Sequence, residues 1–153
     1  DKVVVMYDGE IVQIGTPAEL FDRPSHTFVG YFIGSPGMNV MPAEVAGDRA
    51  RIAGRFELAL PRAYPALGGG RIELGVRPEF TWLAPPAEGL PVQVRSISDL
   101  GRLRLAKVDL GGQTVVATVP DGLSIAGSEA SLRFEPAMMH VYADGSLVRG
   151  EAH

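Results

Sequence analysis

The sequence contains two lysines, Lys2 and Lys107, and neither follows a glycine. A nucleotide phosphate loop closes on Gly-Lys-Ser/Thr because the lysine must reach the β- and γ-phosphates, and no such tripeptide is present. The three histidines, His26, His140 and His153, are scattered with no ligand spacing, whereas a zinc site needs several donors converging on one point. The absence of cysteine removes thiolate nucleophiles, thiolate metal sites and disulfides. Ser96 and Ser98 stand beside Asp99, yet no strand-to-helix elbow surrounds them to expose a nucleophile. Asp8/Glu10 and Glu19/Asp22 fall where a turn and a helix start are expected, so turn and capping roles suit them better than acid–base work. His140, within Met138-Met139-His140-Val141-Tyr142, is expected on the outer or rim face of a strand. No residue is therefore assigned to catalysis, to a cofactor or to a metal.

The composition points the same way. Apolar residues make up 46% of 153, enough for a core, and a charged fraction of 21% argues against wholesale disorder. Nineteen glycines and twelve prolines favour many turns and short strands. A net charge of −4 argues against nucleic acid as the partner, since phosphate binding requires a basic surface. No apolar run approaches the ~20 residues of a membrane span, and the opening lacks the pattern of a signal peptide. The absence of an initiator Met suggests a piece of a longer chain. A cytoplasmic, β-rich protein is the expectation.

The pattern changes near residue 39. Within residues 1–39, the apolar run Val3-Val4-Val5-Met6-Tyr7 precedes Asp8-Gly9 and then Glu10-Ile11-Val12-Gln13-Ile14. Asp-Gly between β-branched runs is a strong hairpin signal, because both link positions favour positive φ. The first arm is apolar at every position, which predicts cover on both faces. Thr16-Pro17-Ala18-Glu19 has the form of a capping box opening a short helix, stopped near Asp22 by Pro24. Ser25 is expected to cap a second helix presenting Phe28, Val29, Phe32 and Ile33, with Gly34 as its stop and Ser35-Pro36-Gly37 as loop.

Residues 40–153 read as strands separated by turns, over 40–46, 49–53, 56–60, 71–77, 80–84, 91–98, 102–110, 113–119, 129–134, 138–143 and 146–149. The punctuation includes Gly47-Asp48, Gly54, Gly68-Gly69-Gly70, Gly101 and Gly111-Gly112. Pro78 and Pro136 stand 58 apart in related contexts, and the same offset lays Gly54 on Gly112, Ile52 on Leu110 and Leu58 on Val116. That spacing predicts two related halves, roughly 40–84 and 91–143. The expected fold is mainly β: a small barrel or sandwich built from two halves, preceded by a hairpin and two short helices.

Residues 1–39, DKVVVMYDGEIVQIGTPAELFDRPSHTFVGYFIGSPGMN, closely resemble the end of the ATP-binding domain in maltose-type carbohydrate ABC importers. Gly75-Val76-Arg77-Pro78-Glu79 and the run from Leu132-Arg133-Phe134 to His140-Val141-Tyr142-Ala143-Asp144-Gly145 resemble the C-terminal OB-type (TOBE, or MOP-like) regulatory domain of that family, which implies an OB-type/MOP-like β barrel built from the two halves. Lys2 stands where Arg is usual, and Gly101-Arg102 where Gly and a small residue are common. The resemblance implies a subunit whose phosphate loop, signature, magnesium-binding acid and switch histidine all precede Asp1; ATP and Mg are expected for the full-length subunit. Leu110-Gly111-Gly112-Gln113 is superficially like the signature but lacks its serine, and reads as a hairpin turn.

The partners implied are a second copy, the rest of the ATPase domain, membrane permease subunits and a regulatory protein, at the inner face of the cell membrane. Regulatory or interdomain candidates are Arg77, Glu79, Arg133 and Glu135. Pro78 ends a strand and puts Arg77 and Glu79 at a barrel rim, where a local salt bridge is the alternative role. A second reading, from related molybdate systems, is an oxyanion sensor using Ser96, Ser98, Arg102 and Lys107. The N-terminal hairpin is expected to pack against a second copy, with folding back on its own barrel as the competing arrangement.

Overall fold

The computed structural model describes residues 2–33, 37–65, 70–125, 127–148 and 151–152. Strands β1 (Val3–Tyr7) and β2 (Glu10–Gly15) form the expected hairpin, turning through Asp8 and Gly9 with φ of 51° and 77°. Helix α1 (Pro17–Asp22) carries the complete capping box: the Thr16 side chain accepts from Glu19 N–H while the Glu19 carboxylate takes the Thr16 N–H. Those bonds hold the Glu19 carboxyl below its ordinary pKa. Helix α2 (Thr27–Phe32) follows, but Ser25 does not cap it. Its hydroxyl donates to Val12 O and its N–H to the Gln13 side chain, so a residue expected to start a helix is spent on the hairpin. Val29 is fully buried. Gly34, Ser35, Pro36, Gly68 and Gly69 lie outside the described residues, as do the side chains of Phe28 and Phe32.

From Asn39 on, the described residues are strands, turns and two 3-10 turns. The long β3 (Asn39–Ile52) is continuous through Gly47-Asp48, where two strands were expected. Gly47 has φ of 60° and the register with β4 shifts there, the signature of a bulge that bends a strand without ending it. Strands β4 (Phe56–Tyr64), β5 (Ile72–Val76) and β6 (Thr81–Ala84) complete the first half, with a 3-10 turn at Pro78–Phe80. The second half holds β7 (Leu90–Asp99), β8 (Arg104–Leu110), β9 (Gln113–Val119), β10 (Glu129–Phe134), a 3-10 turn at Pro136–Met138, and β11 (His140–Ala143). Strands β12 (Ser146–Val148) and β13 (Glu151–Ala152) follow.

The 58-residue offset is visible in three dimensions. It carries one 3-10 turn onto the other, and Ala53 and Gly54, both at positive φ, onto Gly111 and Gly112, also at positive φ. After its 3-10 turn each half sends its last strand into the other half: β5 pairs with β11, and β10 pairs with β6. Leu74 faces Val141 in one pair and Leu132 faces Leu83 in the other, so the offset converts one register into the other. The result is a closed barrel in the order β10-β6-β9-β8-β7 beside a six-stranded sheet in the order β12-β11-β5-β3-β4-β13. One apolar cluster runs through both, from Met41, Ile52, Leu74 and Val76 to Leu83, Val108, Leu132 and Val141. Asn39 stitches them together. Its side chain donates to Val116 O at 2.8 Å and accepts from Val116 N–H at 2.9 Å, as an additional strand residue would. No helix among the described residues is long and apolar enough to cross a membrane.

Candidate functional site

The side chains with the least ordinary surroundings lie where β5 and β11 meet the α1–α2 segment. Gly75 and Arg77 lie on one face of the chain at β5, and His140 and Tyr142 on one face of β11, with His140 directly opposite Gly75. Residues two apart in a strand share a face; the intervening Leu74, Val76 and Val141 point into the core. The first face is covered by α1, α2 and Met38. Gly75 makes that cover possible, since a Cβ there would stand 2.8 Å from Met38 Cε, Met38 Sδ and Tyr142 Cε2. Met38 also presses on Gly30 of α2, so its thioether fills the space between two glycines.

Three side chains of this face take up main-chain carbonyls of one short segment. Arg77 Nε donates to Phe21 O at 2.9 Å, His140 Nε2 to Asp22 O at 2.9 Å, and the Tyr142 hydroxyl to Pro24 O at 2.8 Å. A carbonyl can only accept, which assigns the proton of the neutral His140 ring to Nε2. From the opposite side Gln13 of the hairpin donates to Arg23 O at 3.0 Å and accepts from Ser25 N–H at 2.9 Å. Ser25 O in turn accepts from Leu147 N–H at 2.9 Å. Every carbonyl from residue 21 to 25 is thus bonded to a tertiary partner, and the partners come from both the hairpin and the sheet.

The electrostatics follow from burial. Arg77 is only 3% exposed, with its guanidinium carbon 3.9 Å from the Phe21 ring centroid. Its Nη1 and Nη2 have no hydrogen-bond partner among the described residues. Desolvation draws its pKa down, while the nearby Glu79, Tyr142 and Asp22 favour the charged form. Arg77 was expected at a barrel rim; it lies instead under α1, because Pro78 turns the chain only after Arg77 has passed beneath the helix. His140, expected on the outer or rim face of its strand, lies on the face away from the core and is half-buried in the same interface. Burial lowers its pKa, the bond to Asp22 O opposes that, and the cations Arg23, Arg62 and Arg77 add to the lowering. Burial also pushes the Tyr142 hydroxyl well above its ordinary value.

The lowered His140 pKa fixes the sign of a pH effect. The unfolded chain takes up the His140 proton near pH 6.5, before the folded one does. Stability conferred by this site is present above that pH and is lost as the pH falls through the lowered value. Thermal melting between pH 7.5 and 5.5 should decline more in the wild type than in His140→Gln, whose amide can still donate to Asp22 O. Superimposable pH profiles would remove the assignment.

The other sequence candidates do not converge on this place. Glu79 is exposed, Arg133 is exposed opposite Trp82 on β10, and Glu135 accepts from Ala137 N–H at the second 3-10 turn. Ser96, Ser98, Arg102 and Lys107 are all exposed on or near the β7–β8 hairpin. Ser96 faces Lys107 across the strands, but Arg102 sits in the connecting loop, and no enclosed cradle gathers the four. Among the described residues no cluster of three or more His, Cys, Asp or Glu side chains could hold a metal. A groove of about 520 Å3 near the β8–β9 turn is lined by Asp109 and Glu129 as well as Arg55, a mixed-charge lining unsuited to an oxyanion. Gln13, Met38, His140 and Tyr142 are the joint residues that sequence reading did not assign. The i, i+2 spacing of His140 and Tyr142 was visible, but its meaning depends on the β5–β11 pairing.

Residues 34–80 match the family described as the MalK OB fold domain, and residues 74–142 match the TOBE domain. The chain is 37% identical over 153 residues to the sn-glycerol-3-phosphate import ATP-binding protein UgpC of Yersinia pestis bv. Antiqua, covering 98% of this chain and 43% of that protein. It is 42% identical over 125 residues to the UgpC of Chromobacterium violaceum, covering 80% of this chain and 34% of the relative. An ABC transporter ATP-binding protein of Sinorhizobium fredii, y4oS, is 39% identical over 132 residues, with 84% and 35% covered. The chain spans less than half the length of these relatives.

Proposed function

Since the chain belongs to the family of ABC-importer ATP-binding subunits, whose C-terminal OB and TOBE domains it carries, we propose that it is the regulatory and dimerisation segment of such a subunit. Residues 1–39 are the end of the ATP-binding domain and 40–153 the regulatory domain. The solute is read as glycerol 3-phosphate or a related polar sugar derivative, by similarity to the named relatives. Nucleotide chemistry belongs to motifs this sequence does not contain, so the segment neither binds nor hydrolyses ATP by itself. In the assembled importer it works at the cytoplasmic face of the membrane, beside permease subunits. The observation that carries the reading is the two-sided grip on residues 21–25, which fastens an ATP-binding-domain hairpin to a regulatory β domain.

In the chain alone the hairpin supplies a dimerisation surface. One of its faces rests on α1, and the other leaves Val4, Met6, Ile11 and Ile14 about half exposed. In a complete subunit this face seats the remainder of the ATP-binding domain; for the chain alone the occupant is a second copy. Titration calorimetry with Mg–ATP, molybdate, tungstate and phosphate should give no heat, and light scattering should give twice the chain mass. Met6→Glu combined with Ile11→Glu should return a folded monomer whose melting temperature no longer depends on protein concentration. Heat with Mg–ATP overturns the regulatory assignment, tight oxyanion heat favours the sensor, and a monomeric wild type at high concentration removes the hairpin-mediated dimer.

A further inference from the structure

The geometry points to residues 21–25 as a cooperative strap that couples the N-terminal hairpin to the β5–β11 sheet, with Gln13 on one side and Arg77, His140 and Tyr142 on the other acting as positioning residues. The strap begins at the end of α1, contains Pro24 and leads to α2, two six-residue helices too short to be stable without tertiary support. Its five carbonyls accept from Arg77, His140, Gln13, Tyr142 and Leu147 in order. The one carbonyl held from the hairpin, Arg23 O, is therefore flanked on both sides by carbonyls held from the sheet. Peptide planes are rigid, so releasing one carbonyl reorients the next unit and weakens a bond held from the other side.

The sheet side continues into the core. Tyr142 is fully buried, touches Met38 Sδ at 3.7 Å, and lies on the strand that the second half lends to the first. A displacement of the hairpin is thus passed through Gln13 to the strap, from the strap to β11, and along β11 into both halves of the β domain. Calling this the joint between an ATP-binding domain and its regulatory domain rests on the function proposed above. The coupling itself is a property of this chain and is tested without nucleotide, oxyanion or partner.

Amide hydrogen exchange of the 153-residue chain provides the test. Tyr142→Phe removes the bond to Pro24 O while keeping the ring, and Tyr142 touches neither Gln13 nor Ser25 N–H in the hydrogen-bond pattern. Loss of one ordinary hydrogen bond corresponds to about tenfold in an opening constant. Exchange of Ser25 N–H, held by Gln13, should accelerate about tenfold, with barrel amides at Ala106 and Val108 unchanged. Conversely, Gln13→Leu should accelerate Leu147 N–H, held by Ser25 O. An unchanged Ser25 rate in a folded Tyr142→Phe protein means the carbonyls are held independently and overturns the coupling. Equal acceleration of the barrel amides overturns it too, because the strap then opens only by global unfolding.

Discussion

Gly75→Ala should destabilise the protein by about 1–3 kcal/mol, and Gly75→Val by more, although the position lies in a regular strand with ordinary backbone angles. A strand normally gains from replacing glycine, since glycine is the poorest residue for a strand interior. Here the added methyl would lie 2.8 Å from the Met38 thioether and from the edge of the Tyr142 ring. Met38 has nowhere to retreat, because its Cε already sits against Gly30 of α2. Tyr142 is pinned by Pro24 O. Met38→Ala alone should cost about 2–4 kcal/mol as a buried truncation. Combined with Gly75→Ala it should cost less than the sum of the two by about 0.5–2 kcal/mol, since the truncation makes room for the methyl. Denaturant unfolding of the four proteins measures the cycle; strict additivity would mean that the steric account of Gly75 is wrong.

The second large effect is expected at Arg77. Arg77→Glu should cost about 3–5 kcal/mol, whereas Arg77→Met should cost less than about 1.5 kcal/mol. The arginine stem is packed and its charge is stripped of water, and among the described residues Nε alone of its nitrogens has a partner. Methionine keeps most of the packed volume and removes a charge that is expensive to bury. Glutamate puts a carboxylate against the Phe21 ring and the Phe21 carbonyl, close to Asp22 and Glu79. Thermal and urea denaturation of both variants at pH 7.5 checks the difference, and equal losses would show that volume rather than charge decides the site.

Asp8-Gly9, Thr16-Pro17-Ala18-Glu19 and Gly111-Gly112 were legible in the sequence because each acts within four residues. A turn needs positive φ and a helix start needs an acceptor for its free N–H groups, and these demands are met by neighbours along the chain. The 58-residue offset was legible for a related reason: each half repeats the same local instructions of hairpin, strand, proline turn and strand. The resemblance of 1–39 to an ATP-binding domain was equally a matter of contiguous residues. Ser25 marks the limit of such reading. Its residue type suits a helix cap, but a hairpin carbonyl more than ten positions away takes its hydroxyl.

The tertiary structure alone decided that β5 pairs with β11 and β10 with β6. Either half could have kept its own last strand; the exchange places both in one continuous core, and that preference arises from the summed packing of residues some sixty positions apart. It decided as well that Arg77 is buried and that His140 and Tyr142 read carbonyls from the α1–α2 segment. A polar side chain on a strand end looks like a rim residue until the segment that covers it is known. The cover here is set by Met38 fitting between Gly30 and Gly75, a three-body contact no periodicity encodes, and it is this fit that brings the carbonyls of 21–25 within reach.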